Sequence, residues 1–362
     1  MLLRPALKLW HISGWRKKRP SMKVAVFGEV LLRLSPPGKE RLFQSPVLQA
    51  TFGGSEANVG VSLATWGHNV RMITALPPNA VGESALGELA RWGLDTAFVR
   101  RAGNRLGLYY AETGSGPRPS RVTYDRDGSG LSEAKPGDFD WDKALAGLDW
   151  FHVSGITPAL SAHAADLTRE AVGAARSQGL TVSVDLNYRS KLWRYGQSAP
   201  DVMKEIVSRA DLLCANEEDC QKALGISARI DFKAGPLDPA LYEDLTLRVL
   251  AMFPGLSRVA VTLRENRGAD ENAWSAVMRT RTGFLTGPKY VLSPIVDRIG
   301  AGDAFAAGLI HGLSAQAGDR EALDFAVAAS ALKHTIPGDI NRVTEQEVKD
   351  LLSGDRSGRI RR

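Results

Sequence analysis

Short apolar runs alternate with longer segments of helical periodicity along most of the sequence. Six such runs predict buried parallel strands, at 24–27, 70–75, 150–153, 181–185, 212–215 and 259–263. Between them, apolar residues three or four apart predict helices at 56–66, 84–92, 162–177, 202–208, 241–252, 304–313 and 321–333. Alternation of this kind predicts an α/β fold with helices on both faces of a mostly parallel sheet. Ligands of such sheets bind at the carboxyl ends of the strands.

Two segments, 31–51 and 97–126, break this alternation. They are rich in Tyr, Arg and β-branched residues, and turn residues interrupt them at 36–37 and 114–119. This composition predicts short strands of a small, separate β-sheet.

The composition indicates one large α/β domain with a small appendage, because 362 residues with 44% hydrophobic content can bury a sizeable core. The two cysteines, Cys214 and Cys220, lack the spacing of a metal site, so we expect neither a disulfide scaffold nor structural zinc. A reducing, cytoplasmic setting follows from this expectation. No apolar run approaches the roughly 20 residues that a membrane-spanning helix needs.

The net charge of +6 belongs to the two ends of the chain. Residues 1–21 carry six basic side chains and no acidic one, and residues 355–362 carry a net +3. Removing both tails from the total leaves −3 on the body, 22–354, which argues against a nucleic-acid-binding function. Residues 1–21 lack the apolar core and cleavage site of a secretory signal. We interpret them as an overlong start before a natural initiator at Met22, with a basic interaction arm as the alternative.

A loop of small residues, Gly300, Ala301 and Gly302, leads directly into the predicted helix at 304–313. The first amides of a helix lack partners within the helix, and the helix dipole is positive there. The loop is therefore suited to bind a phosphate or a developing oxyanion. Asp303 follows in the first turn and could accept a proton from a substrate hydroxyl. The alternative is that Asp303 only caps the helix.

The segment 297–303, D-R-I-G-A-G-D, resembles the second signature of the ribokinase-like (phosphofructokinase B) carbohydrate kinases. The segment 53–67 resembles the first signature of that family, and the likeness extends over about 22–352. The resemblance implies a three-layer αβα sandwich with a small β-sheet lid that often mediates homo-oligomers. It also implies ATP as phosphoryl donor, Mg²⁺, a monovalent cation in some members, an anion hole at 300–302 and Asp303 as catalytic base.

The sugar pocket is expected to include Gly54 and Asn58, because glycine lets the backbone approach a ligand and an amide can bind hydroxyls. An ordinary glycine-rich loop is the alternative. Strand alternation places Tyr124 and Arg126 on one face, and Arg189 follows the strand at 181–185. Two guanidinium groups in one pocket favour a substrate with a carboxylate. An exposed, solvated Arg126 is the alternative.

Tyr109, Tyr124, Arg126, the motif D-x-N-Y-R at 185–189 and the segment 152–160 resemble the branch of the family that phosphorylates 2-keto-3-deoxygluconate. In that branch the equivalent residues hold the hydroxyls, keto group and carboxylate of the sugar acid. Asp339, in P-G-D, resembles a family turn whose aspartate reaches the substrate, although a plain turn is the alternative.

For the nucleotide, the resemblance implies contacts from strand ends and from the start of the helix after 212–215. The expected residues are Asn187, Asn216, Asp219, Thr262 and Arg264. Asp219 replaces the family's glutamate, and we expect it to reach Mg²⁺ through water, with no direct protein ligand to the metal. Arg264 stands where the family has glycine, so the adenine contacts differ from the usual pattern.

The sequence therefore predicts an ATP-dependent kinase acting on 2-keto-3-deoxygluconate. A kinase for a neutral sugar such as fructose or ribose is the first alternative, and a catalytically silent sugar-binding regulator is the second. The chain lacks the P-loop motif and carries G-E-V-L-L, not G-x-G-x-x-G, after its first strand. A P-loop kinase and an NAD-binding oxidoreductase are therefore disfavoured.

Overall fold

The computed structural model describes residues 21–227, 239–315 and 318–354. The two predicted tails, 1–21 and 355–362, lie outside these ranges except for Ser21. None of the described helices is both long and apolar enough to cross a membrane.

The described chain contains a ten-stranded sheet and a four-stranded sheet. The strands in chain order are β1 Lys23–Phe27, β2 Leu31–Ser35, β3 Gln49–Gly53, β4 Asn69–Leu76, β5 Val99–Arg101, β6 Gly107–Glu112, β7 Arg121–Asp125, β8 Trp150–Ser154, β9 Thr181–Asp185, β10 Leu212–Asn216, β11 Arg258–Asn266, β12 Asn272–Thr280, β13 Phe284–Thr286 and β14 Tyr290–Leu292.

The helices include every segment that was predicted to be helical. In chain order they are α1 Ser55–Thr65, α2 Ala80–Arg91, α3 Trp141–Leu145, α4 Ile156–Ala159, α5 Ala162–Ser177, α6 Ala199–Val207, α7 Glu217–Leu224, α8 Leu241–Met252, α9 Ala301–Ser314, α10 Asp319–Lys333 and α11 Glu345–Leu352.

The large sheet has the order β13-β12-β11-β10-β9-β8-β1-β4-β5, and β14 pairs with β12 beside this path. From β5 to β11 all neighbours are parallel, whereas β12 is antiparallel to β11, β13 and β14. The predicted mostly parallel sheet is thus confirmed. The strand order reverses at β1, which has β8 on one side and β4 on the other. Ligands bind at the carboxyl ends of the strands around such a reversal.

Alternate residues of β1 show why both faces of the sheet are covered. Ala25 and Phe27 are buried in one core cluster, with residues of α3, α5, α6, α7 and α8. Val24 and Val26 are buried in the other, with residues of α1, α2, α9, α10 and α11. Because successive side chains of a strand point to opposite faces, an uninterrupted apolar run fits only a sheet that is covered on both sides.

The small sheet has the order β3-β2-β6-β7 and confirms the predicted separate sheet. One strand within 97–126 was assigned wrongly to it, since β5 pairs in parallel with β4 and extends the large sheet. Its sequence, V-R-R, matches the composition of the lid strands. A strand of three residues is too short to show a periodicity that would assign it to the large sheet or to the lid. The strands β12 to β14 were not predicted.

Candidate active site

A cavity of about 570 Å³ lies at the carboxyl ends of the central strands and is lined by residues of both sheets. All sixteen residues predicted from the sequence as site residues line it. They are Gly54, Asn58, Tyr109, Tyr124, Arg126, Asn187, Arg189, Asn216, Asp219, Thr262, Arg264, Gly300, Ala301, Gly302, Asp303 and Asp339. The structure thus brings the predicted residues together, while the role of each stays a prediction.

The loop at 300–302 begins α9 by a left-handed turn at Gly300, whose φ is 82°. A Cβ atom on Gly300 would lie 2.0 Å from the carbonyl oxygen of Asp339, so only glycine fits here. The amide of Ala301 donates to the carbonyl of Arg298 at 3.3 Å. Within the described ranges the amides of Gly300, Gly302 and Asp303 have no hydrogen-bond acceptor. Among the described residues, the predicted anion hole therefore has three unpaired donors. The amide of Asp303 is one of the three, whereas the amide of Ala301 is not.

The Asp303 carboxylate is held by two residues of α1. Ser55 Oγ donates to Oδ1 and Asn58 Nδ2 donates to Oδ2, each over 2.7 Å. Burial raises the pKa of Asp303, and these two hydrogen bonds oppose that increase. A carboxylate that is fixed in orientation and has a raised pKa is suited to accept a proton. The Asp303 carboxylate thus accepts hydrogen bonds from two side chains of α1, and no side chain of the described residues caps the first amides of α9. This arrangement does not fit the alternative that Asp303 only caps the helix.

Acidic side chains collect on the β9 and β10 side of the cavity. Asp185 ends β9, and burial, followed by the charges of Asp219 and Asp303, raises its pKa well above the ordinary value. Asp219 accepts hydrogen bonds from the amides of Tyr188 at 3.0 Å and Asn216 at 3.1 Å. Asn216 Oδ1 accepts the Asp219 amide in return, so these two residues form a capping box at the start of α7.

Among the described residues, no group of three or more His, Cys, Asp or Glu side chains is arranged to hold a metal ion. The donor set nevertheless fits Mg²⁺ that is carried by a nucleotide, because such an ion keeps several waters and needs only one or two carboxylates. Asp185 and Asp219 would hold it, and a cation there would relieve the repulsion that, after burial, raises the pKa of Asp185.

Arg126 lies in the cavity wall but is already paired. Its Nε donates to Glu29 Oε2 at 2.8 Å, its Nη2 also contacts that oxygen, and Ser129 Oγ donates to Oε1. Arg126 and Glu29 are 4% and 3% exposed, so the solvated alternative for Arg126 is wrong. Within the described chain, Nη1 makes no hydrogen bond and is the part of this guanidinium that can reach a ligand.

Arg189 has a different environment. It is exposed, and the one hydrogen bond that its side chain makes to the described residues goes to the carbonyl of Tyr188 at 3.3 Å. No acidic side chain of the described ranges pairs with it. Asn187, two residues earlier, adopts a positive φ of 36° and donates to Ser55 Oγ at 3.1 Å. Arg189 therefore offers the cavity a full guanidinium charge beside the residues that hold Asp303.

Asp339 belongs to a buried network that ties the lid to the anion loop. Tyr109 Oη donates to both its carboxylate oxygens at 2.6 Å, and Arg33 Nη1 donates to Oδ1 at 2.8 Å. Arg33 Nη2 reaches Asp297 Oδ2 at 2.7 Å, three residues before the anion loop. Burial lowers the pKa of Arg33, but Asp297 and Asp339 outweigh it and raise that pKa above its ordinary value. Asp339 is thus part of an ion-pair network, and the plain-turn alternative is wrong.

Thr262 is the last residue of β11 that pairs in parallel with β10, and Arg264 follows two residues later in the same strand. Thr262 Oγ1 donates to the carbonyl of Ala215 at 3.4 Å. Arg298 precedes the loop, lines the cavity and donates to carbonyls at 268 and 269 and to the Asn272 side chain. The two guanidinium groups are close enough that Arg264, after burial, lowers the pKa of Arg298. This positive surface is suited to polyphosphate.

Several residues of the site were not identified from the sequence. Ser55 lies inside the segment 53–67, which resembles the first family signature, and could have been predicted from it. Glu29 and Arg33 gave no signal, because their partners Arg126, Asp297 and Asp339 are distant in sequence. Lys333 looked like one polar residue at the end of an Ala-rich helix.

Comparisons with known proteins agree with this geometry. A model of the pfkB family carbohydrate kinases matches residues 21–346. A 2-dehydro-3-deoxygalactonokinase of Haloferax volcanii is 32% identical, with 93% of this chain and 98% of the relative aligned. A 2-dehydro-3-deoxygluconokinase of Bacillus subtilis is 28% identical over 93% and 97% of the two chains.

Among solved structures, a 2-dehydro-3-deoxygluconokinase from Thermotoga maritima has a TM-score of 0.86 and 42% identity. The superposition covers 92% of this chain and 100% of that one. A family model that spans most of the chain, over a site with the geometry described above, establishes the class. The chain belongs to the pfkB family of carbohydrate kinases and is a sugar kinase.

Proposed function

We propose that this kinase transfers the γ-phosphoryl group of ATP to the primary hydroxyl of 2-keto-3-deoxygluconate (2-dehydro-3-deoxygluconate), giving 2-keto-3-deoxy-6-phosphogluconate. The observation that carries the proposal is the position of Arg189. Its guanidinium, which has no acidic partner in the part of the chain that the structure describes, shares one cavity with Asp303 and the amides of the anion loop. The names of the relatives from Bacillus subtilis and Thermotoga maritima support the same substrate.

In this reaction the hydroxyl oxygen forms a bond to the γ-phosphorus, the bond between that phosphorus and the bridging oxygen breaks, and ADP leaves. Asp303 orients the hydroxyl and takes its proton late in the transfer, because Ser55 and Asn58 fix its carboxylate. The amides of Gly300, Gly302 and Asp303 stabilise the charge on the transferring group. Mg²⁺ held by Asp185 and Asp219 would neutralise phosphate charge when bound.

The sugar acid carboxylate binds Arg189, because Arg126 is largely neutralised by Glu29. Arg126 contributes through Nη1, and Tyr124 lies beside it with its ring 5.4 Å from that guanidinium. Tyr109, Asn58 and Gly54 supply hydroxyl contacts at the sugar end of the cavity. Asn187, Asn216, Thr262 and Arg264 contact the nucleotide.

The galacto epimer of the same acid is the second candidate substrate. The Haloferax volcanii relative, which bears that name, is 32% identical. Both epimers carry the carboxylate, so the same charged groups would recognise either. A neutral sugar would leave Arg189 without a partner, and a silent regulator would not require the Asp303 arrangement.

We also propose that the enzyme acts in the cytoplasm, that it uses Mg²⁺ and in addition a monovalent cation, and that it assembles as a homo-oligomer through the lid. Between β2 and β3 of the lid, Phe43 is 71% and Val47 is 54% exposed. Apolar groups this exposed favour contact with a second subunit.

The test is a coupled assay of ADP formation with both epimers, fructose and ribose, followed by ³¹P NMR of the product. ADP formation with a keto-deoxy acid, together with a phosphomonoester at its primary carbon, is the expected result. Faster turnover of fructose or ribose would favour the neutral-sugar kinase. ATP binding without turnover of any compound would favour the silent regulator.

A further inference from the structure

Lys333, at the end of α10, has a side chain that is fully buried at 0% exposure. Its Nζ donates to the carbonyl of Ile336 at 3.1 Å, and within the described residues it has no other hydrogen bond or ion pair. A buried ammonium with one acceptor is costly for the fold, since it loses its hydration and gains one hydrogen bond. Such an arrangement calls for an explanation outside packing.

The position of Lys333 provides one. A Cβ atom on Gly300 would lie 3.2 Å from Lys333 Cε, so the lysine stem runs directly behind the anion loop. Ser330, one turn earlier on the same helix, donates to the carbonyl of Ala301 at 2.7 Å. The close approach of α9 and α10 depends on Gly308, where a Cβ would lie 2.6 Å from Ala326 Cα. The lysine is therefore held at a fixed distance from the loop.

The charges around Lys333 come from four elements. Asp297 precedes the loop, Asp303 follows it on α9, Asp339 lies in the turn after α10, and Arg33 comes from β2 of the lid. Arg33 pairs with both Asp297 and Asp339, so one positive charge serves two carboxylates. Without a second cation, the structure around the phosphate-binding amides would carry excess negative charge that repels an anion.

We propose that Lys333 is a positioning residue for phosphoryl transfer: its ammonium is the built-in counter-charge behind the anion loop. It does not touch the substrates. It balances Asp297 and Asp339 so that the loop amides face a phosphate with net positive potential, and it keeps Asp303 ionised. The inference deepens the kinase function proposed above and rests on it.

The primary test compares Lys333→Met with the parent enzyme. Loss of the charge should lower kcat about 10–100-fold, with the KM for the sugar acid within about threefold. The acidic limb of the kcat/KM profile reports the ionisation of Asp303, whose charged neighbours are Lys333, Arg189, Asp185 and Asp339. In the variant this limb should move to higher pH by about half a unit or more. The melting temperature should stay the same or rise, because Met has no ammonium to desolvate.

Ser330→Ala is the matched control, because it loosens the same loop without changing any charge. It should leave the pH profile unmoved, and Lys333→Arg should recover part of kcat. If Lys333→Met keeps the parent's kcat and acidic limb, or if Ser330→Ala shifts that limb equally, the proposal is wrong. If Lys333→Met and Lys333→Gln both unfold where the parent is folded, Lys333 is a structural residue and the proposal also fails.

A binding measurement separates this inference from the choice of sugar. Calorimetric titration needs no turnover, and Lys333→Met should weaken ATP binding about 3–10-fold while leaving adenosine, which has no phosphate, within about twofold. Equal effects on both ligands would contradict the counter-charge role. A failure of sugar-acid turnover in the parent would count against the proposed substrate alone.

Discussion

Asn58 Nδ2 donates a hydrogen bond to Asp303 Oδ2 over 2.7 Å and so joins two segments that are 245 positions apart in the sequence. Each segment was predicted separately as part of the site, Asn58 for sugar hydroxyls and Asp303 as the base. Their contact shows that Asn58, together with Ser55, also fixes the orientation of the Asp303 carboxylate, the proposed base. Substitutions at these positions should therefore affect chemistry as well as binding.

Asp303→Asn should lower kcat by about 10²–10⁴-fold with little change in KM, because an amide cannot accept the hydroxyl proton. The variant can keep its hydrogen bonds, with Oδ1 accepting from Asn58 and Nδ2 donating to Ser55 Oγ. Its melting temperature should equal or exceed the parent's, since a buried carboxyl with a raised pKa has been removed. Steady-state kinetics with thermal melting checks both points, and activity within about threefold of the parent would rule out a catalytic base.

The two glycines of the anion loop should respond differently to alanine. Gly300→Ala places a Cβ 2.0 Å from the Asp339 carbonyl at a φ of 82°, so it should lower the free energy of unfolding by about 2 kcal/mol or more. Gly302 has no atom within 4 Å of its added Cβ and lies in a helical turn, so Gly302→Ala should leave stability unchanged or raise it by up to about 1 kcal/mol.

Gly302→Ala should nevertheless lose activity, by about tenfold or more, because the new methyl group enters the space in front of the unpaired amides. Denaturant unfolding and kcat/KM measured on both variants test the pair. A fully active Gly302→Ala enzyme would show that the phosphoryl group does not approach this loop.

Glu56 should make the stability of the protein depend on pH. It is fully enclosed, and burial raises its pKa to about 7, against the hydrogen bonds that it accepts from Ser154 and Thr157. Because the folded-state pKa is above the unfolded one, the folded protein holds the proton more tightly. Stability contributed by Glu56 is therefore present below about pH 4.5 and is lost as the pH rises to about 7.

Glu56→Gln keeps the acceptor oxygen and cannot ionise. The loss of unfolding free energy between pH 5 and pH 8 should be smaller in the variant than in the parent, by about 2–3 kcal/mol. Urea unfolding at both pH values gives the difference. Identical losses in parent and variant would mean that the Glu56 carboxyl ionises in the folded protein as readily as in the unfolded one.

Arg126 should prove to be chiefly structural. Arg126→Met leaves the Glu29 carboxylate buried without its partner and should cost about 3–5 kcal/mol of stability. Combining it with Glu29→Gln removes both charges and should recover most of that loss. Thermal and urea unfolding of the single and double variants tests the coupling, and additive effects would contradict it.

The sequence predicted the large sheet well because its strands are uninterrupted apolar runs that only a sheet covered on both faces can bury. It failed at β5, whose three residues resemble lid strands and whose pairing with β4 depends on register. The residues predicted from motifs all line the cavity. The counter-charges Glu29, Arg33 and Lys333 were not predicted. The sequence does not reveal that a charged residue is buried or which residue it pairs with, because both depend on segments that are distant in sequence.

The proposed choice of a sugar acid as substrate depends most on Arg189, the group proposed to bind the substrate carboxylate. The direct measurement is the ratio of kcat/KM for 2-keto-3-deoxygluconate to that for fructose, in the parent and in Arg189→Met. Loss of a charge-assisted hydrogen bond costs about 1.5–3 kcal/mol, so the variant should lose about 10–100-fold on the acid and little on fructose. A ratio that stays at the parent's value, with equal losses on both sugars, would contradict recognition of a sugar acid by this site.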